Sequence, residues 1–73
     1  MTIYEFIQKE APRQMEEYIK ELQNAYDKFK DMNRIQLEQE LEYAREDYKL
    51  YKRSLNNTAR CMVIYALINE NLR

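Results

Sequence analysis

Hydrophobic positions in this chain recur every three or four residues, in one short run followed by longer ones. Thr2-Ile3-Tyr4-Glu5 opens the first as a capping box: the threonine hydroxyl serves a free backbone N–H and the glutamate reaches back. Ile3, Phe6 and Ile7 then share one side of a helix of about two turns. Proline disfavours helical geometry in the residue before it, so this helix is expected to stop near Ala11. Pro12 suits the first position of the next helix, where no N–H is needed.

From Pro12 to Lys30 the apolar stripe is Met15, Tyr18, Leu22, Ala25, Phe29 and Met32, widened by Ile19 and Tyr26. Glu16 and Lys20 form a favourable pair one turn apart on its flank. Asp31-Met32-Asn33 reads as a turn, and Asn33 with Gln36 makes a second capping box. A third stripe follows in Leu37, Leu41, Ala44, Tyr48, Tyr51 and Leu55, opposite a solvated face of Glu38, Glu42, Glu46, Lys49 and Arg53. The short connection predicts that these two helices are antiparallel neighbours.

Ser54-Leu55-Asn56-Asn57-Thr58 favours caps and turns, yet the stripe continues through Leu55, Thr58, Met62, Tyr65 and Leu72 without a skip. Either the third helix breaks here or it runs on past Ile68 as one helix whose C-terminal half would need another chain; the break is the leading expectation. Residues 59–68 are apolar nearly all round, as in a helix buried on every side. A strand is excluded because nothing else in the chain could pair with it. Two further helices could hardly cover such a segment. The pattern therefore predicts an oligomer, most simply a dimer, with Met62, Val63, Ile64, Tyr65, Leu67 and Ile68 at its interface. The expected fold is all-α: a single domain over residues 1–73, with a short N-terminal helix, an antiparallel hairpin and an apolar C-terminal helix.

Composition narrows the chemistry. The 73 residues include no glycine, no histidine, one cysteine and seven tyrosines. Glycine-built phosphate loops are excluded, and so is histidine acid–base or metal chemistry. The lone Cys61 permits no internal disulfide or cysteine zinc site, and its apolar setting fits a small buried hydrophobe in a reducing cytosol. The longest apolar run, Cys61 to Ile68, is eight residues, against about 20 for a membrane span. No secretory signal pattern is read at Met1-Thr2-Ile3-Tyr4-Glu5, so a cytoplasmic location is expected. Neither an enzyme, a cofactor nor a metal is implied: no nucleophile–base pair or ligand set can be assembled.

Charge is unevenly spread. Residues 1–47 hold twelve acids and seven bases, whereas residues 48–73 hold one acid and five bases. The acidic half, with Tyr4, Tyr43, Glu38 and Glu42, is a candidate surface for a protein partner. The basic half offers Lys49, Lys52, Arg53 and Arg60 among tyrosines, a candidate site for a nucleotide or nucleic acid. The leading expectation is a self-associating, non-enzymatic protein-interaction module. Small size and a composition rich in Asn, Lys, Ile and Tyr suit a phage or mobile-element inhibitor of a host protein. The alternative is an oligomeric binder of an anionic ligand.

Overall fold

Polar side chains close the helix ends in a chain that has no glycine. The computed structural model describes residues 1–10, 16–50, 54–70 and 72, and these form four helices and no strand. They are α1 (Ile3–Glu10), α2 (Glu16–Phe29), α3 (Arg34–Leu50) and α4 (Leu55–Ile68). Ahead of α1, Thr2 Oγ1 accepts from the Glu5 N–H at 3.2 Å, and Thr2 N–H donates to Glu5 Oε1 at 3.3 Å. Before α3, Asn33 Oδ1 accepts from Gln36 N–H at 2.9 Å and Gln36 Oε1 accepts from Asn33 N–H at 3.0 Å. Both expected capping boxes are formed. Pro12 and Met15 lie outside the described residues.

The break between α3 and α4 is present as well. Ser54 is extended (φ −73°, ψ 121°), and its hydroxyl accepts from Asn57 N–H at 3.4 Å. Thr58 Oγ1 also donates to the Ser54 carbonyl at 3.0 Å. Ser54→Ala is expected to lower stability by about 1 kcal/mol, measured by denaturant unfolding, since it removes the cap without touching the core. At the other end of α4, Glu70 takes a left-handed conformation (φ 59°) that usually falls to glycine. Leu72 N–H then reaches back to the Ala66 carbonyl at 3.2 Å, and the Leu72 side chain is buried against the bundle.

α4 is the centre of the molecule. It packs against both α2 and α3, and α1 lies on α2. The expected α2–α3 hairpin is corrected here. Close approaches between those two helices are few or absent, because α4 occupies the space between them. Small residues let it in: Ala44 of α3 and Ala59 of α4 are fully buried, and Ala25 and Ala66 nearly so. Around them the core is Phe6, Ile7, Tyr18, Leu22, Phe29, Leu37, Val63 and Ile64. With α2 and α3 on either side of α4, the molecule is flattened to 32 × 28 × 16 Å.

This packing changes the reading of residues 59–68. Val63 and Ile64, expected at an interface between copies, are 0% exposed within one chain. Leu67 and Ile68 are half-buried against the same core. The covering of Val63 and Ile64 comes from helices on both sides of α4 together with the returning Leu72, within a single chain.

Candidate functional site

One side of α4 stays uncovered. Thr58, Cys61, Met62 and Tyr65 are spaced three, one and three residues apart, which places them on a single helical face. Across from them α3 contributes Arg45, Tyr48 and Lys49, again one face by spacing. Between the two rows lies an open groove of about 330 Å³. Its walls are mostly apolar, and Tyr48 and Tyr65 remain 42% exposed. A second hollow of about 310 Å³ adjoins it, where Met1, Phe6 and Lys9 approach Met62, Tyr65, Ala66 and Asn69. Met62 and Tyr65 border both, so the two hollows form one track along α4.

Cys61 sits in the groove wall, partly buried. Burial pushes its thiol above the ordinary value, while the charges of Arg60 and Arg45 pull the other way and lose. The folded chain therefore holds the neutral thiol. The stability this contributes is present below the ordinary thiol value and is lost as pH rises through the raised one. Alkylation of Cys61 in the folded chain is expected to be slower at neutral pH than in the denatured chain, with a rate still climbing at pH 9.0. A fast reaction that levels off near neutrality would show a thiolate instead.

The candidate residues read from the sequence are only partly brought together. Met62 and Tyr65 reach the groove, whereas Val63 and Ile64 do not. Of the anion-binding set, Lys49 borders the groove, and Lys52 and Arg53 lie outside the described residues. Arg60 turns inward instead. It donates to Asp47 Oδ2 at 3.0 Å and to Asn57 Oδ1 at 3.2 Å, with its side chain 17% exposed. Asn57 is itself buried and donates from Nδ2 to the Asp47 carbonyl at 3.4 Å. The three side chains join the end of α3 to the start of α4. Arg60 thus ties α4 to α3 through its ion pair with Asp47.

The acidic candidate surface is dispersed. Tyr4 borders a hollow of α1 and α2, while Tyr43 stands exposed on α3. Glu38 and Glu42 are exposed on α3, and Glu38 is held by Arg34 at 3.2 Å. Arg45 was absent from every sequence-based set. Its relation to Tyr48 and Lys49, three and four residues on, was the available signal.

Among the described residues, no group of three or more acidic or cysteine side chains is placed to hold a metal ion. No helix there is long and apolar enough to cross a membrane. The architecture defined by fold and site is a small all-α bundle carrying an open apolar groove with a basic rim. The chain matches no known protein family, no curated protein and no solved structure.

Proposed function

We propose that the chain is a non-enzymatic protein-interaction module that receives a partner protein along the groove between α3 and α4. The observation that carries this is the uncovered face of α4, where Met62 and Tyr65 stand opposite Tyr48 of α3. Burying such a face is favourable by roughly 25 cal/mol per Å² of apolar surface. Tyrosine adds a rigid ring with a polar tip, the combination found at interface anchors. The non-enzymatic part of this reading draws support from Cys61, whose thiolate is disfavoured by burial in the groove wall.

Cys61, the sole cysteine, allows a direct test. The chain is alkylated there with a bulky maleimide and compared with unmodified chain in capturing proteins from an extract of its source cells. The expected result is a partner retained by the unmodified chain and lost from the modified one, with circular dichroism unchanged. A partner captured equally by both would place its contact elsewhere and end this reading.

A further inference from the structure

We infer that the occupant of the α3–α4 groove is an amphipathic helix of another protein whose apolar stripe is flanked by carboxylates, an inference that rests on the groove being a protein-binding site. Three cationic side chains, Lys9, Arg45 and Lys49, border the two adjoining hollows, and among the described residues no acidic side chain lines either. The chain as a whole has thirteen acids against twelve bases, so a track bordered by bases alone departs from its average. None of these cations is paired with a carboxylate among the described residues, where the ion pairs are Arg34–Glu38 and Arg60–Asp47. Of the three, Arg45 lies close enough for its charge to favour the Cys61 thiolate in the groove wall. A carboxylate docked at the rim would meet charges the fold leaves uncompensated.

The dimensions suit a helix. From Thr58 to Asn69 the track follows α4 for about 16 Å at 1.5 Å per residue, the length of three turns. A docked helix with apolar residues at i, i+4, i+7 and i+11 covers that distance with one stripe. A second copy of this chain fits poorly. A two-fold contact places the same patch on both sides, so the cations of one protomer would face those of its partner. Nucleic acid fits poorly too, because three cations over a track of about 16 Å neutralise few phosphates.

The test uses a displayed library of helical peptides about 14 residues long. Apolar residues are fixed at i, i+4, i+7 and i+11, and the flanking positions vary among Glu, Lys and Ser. Peptides are selected on the folded chain and counter-selected against Tyr48→Ala/Tyr65→Ala. The expected survivors carry Glu at the flanks and bind Arg45→Glu/Lys49→Glu about tenfold more weakly, while that variant selects Lys in its place. Survivors with Lys or Ser as often as Glu, or with unchanged affinity for the charge-reversed variant, would overturn the inference and leave the groove standing. If no survivor depends on the two tyrosines, the groove reading fails and takes the inference with it. Displacement of the peptides by a single-stranded oligonucleotide of equal affinity would assign the track to nucleic acid. Self-association on light scattering that Tyr65→Ala abolishes would assign it to a second copy.

Discussion

Ile64→Glu is expected to leave the chain without a cooperative melt and with most of its helical circular dichroism lost. Ile64 is 0% exposed at the middle of α4, the helix on which both α2 and α3 rest. The substitution removes buried apolar contacts worth about 2–5 kcal/mol. It also places a carboxylate in a fully buried, apolar site, at a cost of several kcal/mol more. A domain of this length has a total stability of roughly 4–11 kcal/mol, so the two losses together match or exceed it. Tyr65→Glu, one residue further along the same helix but 42% exposed, is the control. It is expected to melt within about 0.5 kcal/mol of the wild type. Equal melting of the two variants would mean that α4 is not the buried centre described above.

Tyr48→Ala together with Tyr65→Ala is expected to weaken partner binding by about thirtyfold or more, with little change in melting. Both rings are partly exposed, so truncation leaves no enclosed cavity in the free chain. In the complex they form the two walls of the groove. Central aromatic anchors of this kind contribute about 2 kcal/mol or more each when truncated. Affinity measured by titration calorimetry, alongside a thermal melt of the free variant, separates binding from stability. Loss of melting temperature in step with affinity would make the tyrosines structural instead. Unchanged affinity would show that the partner binds another face.

The helices and the capped starts of α1 and α3 were legible in the sequence because they depend on neighbours in the chain, whereas the break before α4 was only favoured over a continuous helix. Thr2 with Glu5 and Asn33 with Gln36 act across three residues, and Ser54 caps α4 in the same way. The burial of Val63 and Ile64 was also legible from their place in the apolar run. What covers them was not. A short turn between α2 and α3 predicts adjacency, yet periodicity carries no information about a third helix entering between two others. The same limit explains Arg60, whose partner Asp47 lies thirteen residues back and comes within reach only because the chain reverses between the helices. For the groove, each half was written as a spacing: Arg45, Tyr48 and Lys49 on α3, and Thr58, Cys61, Met62 and Tyr65 on α4. Their juxtaposition is a tertiary fact.

The central position of α4 has a consequence for the order in which the molecule is made. α2 and α3 emerge first from the ribosome and have almost nothing to hold each other with, since both are completed by a segment translated later. Until Ile64 and its neighbours arrive, Leu22, Phe29 and Leu37 remain open to water and to chaperones. Such dependence on distant partners slows folding relative to a bundle closed by adjacent helices. Packing of α2 and α3 therefore waits on α4, the helix that joins them.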